Sequence, residues 1–268
     1  MPAELILDIH GQSRNNGSLL LPSGKVTALR SFETEKPVWT DAQIRAAILD
    51  PDRPDSRKLF GLEWMQNQYS KGSCNGYATA AALAKARWLR GIRDGLFLLS
   101  GAFLYSLING GQDHGSYLHD SMEAVEIYGI CPEALVPWDC IYSYQLPPGA
   151  YAEAIKHRGI QAYPVQTKQG FRTALAAGYP VIVCVQAGND FQWLNNQGIC
   201  GVDSGNGNHA IHCCGIDIIN GTEVYDTRNS WGLSYGDNGC CYTTWDSFEQ
   251  PFDFHTFWAL SSTEEKGI

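Results

Sequence analysis

Asn67-Gln68-Tyr69-Ser70-Lys71-Gly72-Ser73-Cys74 is the stretch that decides the fold. It runs into Asn75-Gly76-Tyr77-Ala78-Thr79 and an Ala- and Leu-rich segment that reads as one helix from Cys74 to Leu89. Ser73 is a candidate cap and Gly91 a stop. Small residues run nearly all round this helix, which predicts burial on several sides. A cysteine at the first turn sits in the partial positive charge of the helix N-terminus, which favours thiolate over thiol. Backbone N–H groups of that turn can receive an oxyanion, and the Gln68 amide, upstream, can donate a second hydrogen bond. Taken alone, Cys74 is equally well read as a buried structural cysteine.

Two later blocks change that balance. Gly207-Asn208-His209-Ala210-Ile211-His212 leads into a strand, and a histidine beside a thiolate can pair with it and protonate a leaving amine. Arg228-Asn229-Ser230-Trp231-Gly232 ends a second strand, and an asparagine oxygen can accept from a histidine N–H and fix its tautomer. Asn220-Gly221 between them is a two-residue hairpin signal, so the two strands are neighbours. Ideal pairing about that turn places Asn229 opposite His212, and His209 opposite Gly232 on the other face. A β-bulge reverses the parity, and Gly215 is a place for one. His209 is the preferred base and His212 the alternative.

The 268 residues are 44% apolar and 18% charged, enough for one large domain or two lobes with a sizeable core. A net charge of −9 and a pI near 5.2 speak against nucleic acid or an anionic membrane as partner. No apolar run approaches the ~18 residues of a membrane span, and Met1–Arg14 lacks the features of a secretory signal, so a cytoplasmic or otherwise non-secreted setting is expected. Nine cysteines without an export signal read as reduced thiols, and their spacing with histidine matches no zinc site; no metal or cofactor is expected. Oligomeric state is not encoded in any pattern found.

Residues 1–59 read as an N-terminal extension with turns at Asn15-Asn16-Gly17 and Pro22-Ser23-Gly24. A short helix is predicted from Thr40, with Thr40 and Gln43 at capping-box spacing, ending at Asp50-Pro51, and Pro54 continues a loop. Further helices are predicted over Ser116–Tyr128, Ala150–His157 and Phe171–Ala177. Strands are predicted over Val181–Gln186, Ala210–Ile219, Thr222–Thr227, Cys240–Thr244 and Phe254–Leu260. Helices first and strands later imply an α+β protein: residues 60–160 a helical lobe with the nucleophile, residues 161–268 a β-rich lobe with the His and Asn, and a cleft between them.

The ordered blocks resemble the papain and cathepsin family of cysteine peptidases, in particular its non-secreted bacterial or phage members. Asn67-Gln68 with Gly72-Ser73-Cys74 is similar to the family's nucleophile block, Asn208-His209-Ala210 to its His block, and Asn229-Ser230-Trp231-Gly232 with Gly236-Asp237-Asn238-Gly239 to its Asn block. Ala187–Phe191 and Tyr128-Gly129-Ile130 resemble weaker family stretches, so the likeness covers about residues 60–260. The resemblance implies a two-lobed papain-like fold, a helical lobe built on the central nucleophile helix and an antiparallel β-barrel-like lobe, and hydrolysis of peptide or protein substrates through a thioester. It implies Cys74, His209, Asn229 and Gln68 as catalytic residues. Gly115 is implied as a cleft residue whose backbone meets substrate, Ala210 as lining the specificity pocket, and Trp231 as a shield over the Asn–His hydrogen bond. The chain departs from the family at Lys71, where a cysteine is usual, at Asn75, where an aromatic is usual, and at Gln112-Asp113-His114. An acyl transferase or amidase would use the same groups. A catalytically silent papain-like module of a larger assembly, such as a virion in a host cell, is the reading from another class.

Overall fold

A computed structural model describes residues 30–53, 65–92, 98–158, 160–203, 208–248 and 257–263, together with the backbone of three short strands nearer the N-terminus. Those strands are β1 (Leu5–Leu7), β2 (Ser13–Asn15) and β3 (Ser18–Leu19). The predicted early turns, Pro54 and residues 254–256 lie outside the described residues.

The central element is α3 (Cys74–Leu89). Its small side chains let other elements approach on both sides, and it is buried along almost its whole length. On one side it packs against α4 (Gly101–Ile108) and α5 (Leu118–Tyr128), which follows the two-residue strand β4 (Ser116–Tyr117). Leu83, Phe103, Leu104, Tyr105, Val125 and Ile130 form the core of this helical lobe. The lobe closes with the short helix α6 (Ala150–Ala154), extended to His157 by a 3-10 turn.

On its other side α3 meets a six-stranded sheet of order β5-β10-β6-β7-β8-β9. The strands are β5 (Ile160–Pro164), β6 (Val181–Val185), β7 (His209–Ile219), β8 (Thr222–Arg228), β9 (Cys240–Thr243) and β10 (Phe257–Ser262). All their pairings are antiparallel. One face carries Ile182, Cys184, Ala210 and Trp258 and packs on Cys74, Ala78 and Ala82 of α3, joining the lobes. The other carries Val181, Val183, Ile211, Cys213 and Tyr225, and is covered by α7 (Lys168–Ala176) with its buried Phe171.

Residues 30–53 belong to this second core. α1 (Phe32–Glu35) and α2 (Asp41–Ile48) place Phe32, Ile44 and Ile48 in the same cluster as Phe171. The Thr40–Gln43 capping box forms as predicted. Trp39 N–H donates to Thr173 Oγ1 at 3.0 Å, Glu33 accepts from the Gln166 and Thr167 N–H groups at 2.9 Å, and Arg172 bridges Asp41 and Glu223. The segment read as one extension therefore has a docked part from residue 30 onward.

Besides the short α1 and β1 to β4, two elements of the lobes were not anticipated, α4 and β5. α4 is apolar on every side, so it carries no amphipathic period to find. β5 is short and partly exposed. Among the described residues no helix is long and apolar enough to cross a membrane.

Candidate active site

The hairpin of β7 and β8 decides which histidine meets Asn229. From the turn, Ile219 pairs with Thr222 and Gly215 with Asp226, the ideal register. Between Cys213 and Gly215 the register shifts, and beyond it Cys213 pairs with Thr227 and His212 with Arg228. Cys214 is the extra residue of a bulge. One residue of slip moves every later side chain to the other face, so His209, Ile211 and Cys213 now share a face with Thr227 and Asn229. His209 Nε2 stands 2.8 Å from Asn229 Oδ1. That oxygen also accepts from the Ser230 N–H at 2.7 Å, so it is an acceptor and His209 Nε2 is the donor.

His212 falls on the opposite face, with Arg228 and Lys85 near it. Burial first, then those two cations, holds its pKa well below the usual imidazole value, and its Nε2 has no hydrogen-bond partner. It is a neutral core residue and does not meet Asn229.

The His209–Asn229 bond is roofed by aromatic rings. Trp231 lies 4.8 Å from the His209 ring, centroid to centroid, at 30°, while Phe191 meets His209 and Trp231 edge-on at 6.3 and 5.9 Å. Tyr235 backs both rings, at 5.2 Å from Trp231 and 5.8 Å from Phe191. His209 and Trp231 are buried, so the bond is shielded from water and electrostatically strengthened. Asp203 fixes the loop that presents Phe191, accepting from the N–H groups of Gly188, Asp190 and Phe191.

Nucleophile and Asn blocks are joined backbone to backbone. Gln68 N–H donates to Ser230 O at 2.8 Å, Gly232 N–H donates to Gln66 O at 3.0 Å, and Asn67 bridges to Trp231. The Gln68 amide is held at both ends: Oε1 accepts from Ser230 Oγ at 2.6 Å and Nε2 donates to Lys71 O at 2.8 Å. The amide nitrogen therefore faces the nucleophile loop. Ser230, given no role of its own in the sequence analysis, ties the Asn block to the nucleophile block through its bond to Gln68. Cys74 opens α3 and shares a buried cluster with Ala210, the residue beside His209. Ser73 precedes it without capping the helix through its side chain.

Gly115 has φ +87°, and its N–H donates to Tyr105 Oη at 3.0 Å. Next along the chain, Ser116 and Tyr117 pair in parallel with Ser18 and Leu19 of β3. Ala210 and Trp231 are almost completely buried here. Asn75 is no surface group either. It donates to Ser116 Oγ at 3.0 Å and Tyr117 O at 2.7 Å and accepts from Ser121 Oγ at 2.8 Å. A cavity of about 420 Å³ lined by Trp39, Arg53, Lys85, Cys214 and Ile216 lies at the other end of α3 and shares no residue with this site.

All nine cysteines are thiols. Burial pushes Cys131 and Cys213 up to about 12 and raises Cys140 and Cys214. No group of three or more His, Cys, Asp or Glu among the described residues is arranged to hold a metal ion.

The helical lobe and the antiparallel sheet, with the Cys74 helix between them, define a papain-like two-lobed architecture. The model of the papain family cysteine proteases matches residues 50–248, and the chain belongs to that family. Mouse cathepsin K is 28% identical over 199 residues, 70% of this chain and 58% of the relative; a peptidase C1-like protein of Acanthamoeba polyphaga mimivirus is 26% identical over 259 residues, 87% of this chain and 82% of the relative. The chain thus spans little more than half the length of the cathepsin. Among solved structures, xylellain, a cysteine protease from Xylella fastidiosa, superposes with a TM-score of 0.69 at 23% identity, covering 94% of this chain and 98% of its own.

Proposed function

We propose that the protein is a cysteine peptidase in which Cys74 attacks the carbonyl carbon of a peptide bond while His209 stands protonated beside it. The observation that carries this reading is the 2.8 Å bond from His209 Nε2 to Asn229 Oδ1, which leaves Nδ1 to serve the thiol. A carbon–sulfur bond forms as the carbonyl becomes an oxyanion, received by the Cys74 N–H and the Gln68 amide. Collapse breaks the carbon–nitrogen bond, and the proton on His209 Nδ1 leaves with the amine. Water then adds to the thioester and gives a proton to Nδ1, and collapse breaks the carbon–sulfur bond, releasing the acid and restoring the Cys74 thiolate beside protonated His209. Substrates are peptides or proteins. The nucleophile must be an unoxidised thiol for this chemistry.

β3 lies along the cleft wall in this reading. Support comes from the parallel pairing of Ser18–Leu19 with Ser116–Tyr117, which places extended backbone on the segment next to Gly115. The test is cleavage of an unblocked peptide library by the whole chain and by a chain starting at residue 30, with Cys74→Ala as control. Cleavage lost in the control supports the reading. Equal cleavage by the control, or none by either active chain, removes it.

A further inference from the structure

One carboxylate and one phenol join the nucleophile loop to the wall of the cleft. Asp113 Oδ1 accepts from the Gly72 N–H at 2.8 Å, two residues before Cys74, and from the Tyr105 hydroxyl at 2.9 Å. The Tyr105 oxygen in turn accepts from the Gly115 N–H at 3.0 Å. Packing around this relay is tight: a Cβ on Gly72 would stand 3.1 Å from Gly115 N and from Tyr105 Oη, and 3.2 Å from Asp113 Oδ1. Tyr105 is fully buried on α4. Burial first, then the charge of Asp113, holds its phenol above the ordinary value, so it remains a donor. One residue past the nucleophile, Asn75 makes a second brace to the same wall through Ser116 and Tyr117.

We propose that Asp113, held by Tyr105, is a positioning residue that latches the nucleophile loop to the Gly115–Tyr117 segment. The latch reaches the oxyanion donor as well. Gly72 follows Lys71, whose carbonyl accepts from Gln68 Nε2 at 2.8 Å and whose N–H donates to Gln68 O at 3.2 Å. If Gly72 shifts, the Lys71 carbonyl and the Gln68 amide shift with it. Two hydrogen bonds to an ionised acceptor hold that alignment, and misplacement of about 1 Å in such a site costs on the order of a hundredfold in rate.

The inference rests on the peptidase reading, so its test has a readout that needs no substrate. Turnover per alkylation-titrated site and the iodoacetamide rate at Cys74 are measured for the whole chain and for Asp113→Ala, Asp113→Asn and Tyr105→Phe. Asp113→Ala and Tyr105→Phe are expected to lose about tenfold or more in both readouts. Asp113→Asn keeps an acceptor oxygen for Gly72 and Tyr105 and is expected to stay within a few-fold of the native protein. Native rates per titrated site in Asp113→Ala, or an Asn variant as slow as the Ala variant, overturn the proposal. If Asp113→Ala does not fold, Tyr105→Phe decides, since it removes one hydroxyl and keeps the buried ring. If the native chain alkylates quickly yet cleaves no peptide, the peptidase reading fails while the latch is still judged by the alkylation rates.

Discussion

His209 Nε2 donates to Asn229 Oδ1 at 2.8 Å across a hairpin whose register is corrected by one extra residue, Cys214. Without that bulge the asparagine would face His212, a buried imidazole held neutral by its surroundings. The bond is therefore a product of backbone register as much as of side-chain identity.

Thiol labelling at about pH 5.5 is expected to be fast and confined to Cys74. Ordinary thiols are almost wholly protonated there, and Cys131 and Cys213, pushed up to about 12 by burial, are more so. Peptide mapping after iodoacetamide treatment locates the label. In His209→Ala the Cys74 label should be lost at this pH, and labelling of Cys74 no faster than the other cysteines both in the whole chain and in the chain starting at residue 30 would remove it as nucleophile.

Gln68→Ala is expected to lower kcat by about a hundredfold with a smaller change in KM, the behaviour of a lost oxyanion donor. Asn229→Ala should cost about ten- to a hundredfold, as loss of a group that orients a working histidine does. Steady-state kinetics on a cleavable peptide separates the two effects, and unchanged kcat in either variant would remove that residue's role.

Truncation should give opposite results at two boundaries. A chain starting at residue 30 keeps Phe32, Ile44 and Ile48 in the sheet core and is expected to fold with higher peptidase activity. One starting at residue 60 loses all three, and Phe32→Ala alone should cost about 3 kcal/mol or more, because the ring is fully buried. Chemical denaturation of the three proteins checks the order.

Acid should destabilise the protein through His212. Its folded pKa is depressed, so its contribution is complete above the unfolded value of about 6.5 and declines as pH falls toward the folded value, where only the unfolded chain takes the proton. His157, lowered by burial and by Arg87, adds a smaller effect of the same sign. The slope from one histidine is at most about 1.4 kcal/mol per pH unit. Melting curves between pH 4 and 7 should be flatter for His212→Asn than for the native protein; identical curves would exclude this origin.

Much of the site was legible because its chemistry is local. A cysteine after Gly-Ser at a helix start, the capping box at Thr40 and the Asn220-Gly221 turn each depend on a few adjacent residues, and each appears where it was read. α4 was missed because a helix buried on all sides shows no period, and with it went Tyr105 and the relay through Asp113. Ser230 was visible in its block, but its bond to Gln68 joins residues far apart in the chain.

Local order along the chain was thus enough for the nucleophile helix, the hairpin and the family to which they belong. Which histidine faces Asn229, which part of the N-terminal region enters the core, and what braces the nucleophile loop came from tertiary packing alone. The reason is physical: strand parity turns on a single inserted residue, and hydrogen bonds such as Gly72 to Asp113 form between groups whose spacing is set by how α3, α4 and the sheet pack, a quantity no short stretch of sequence contains.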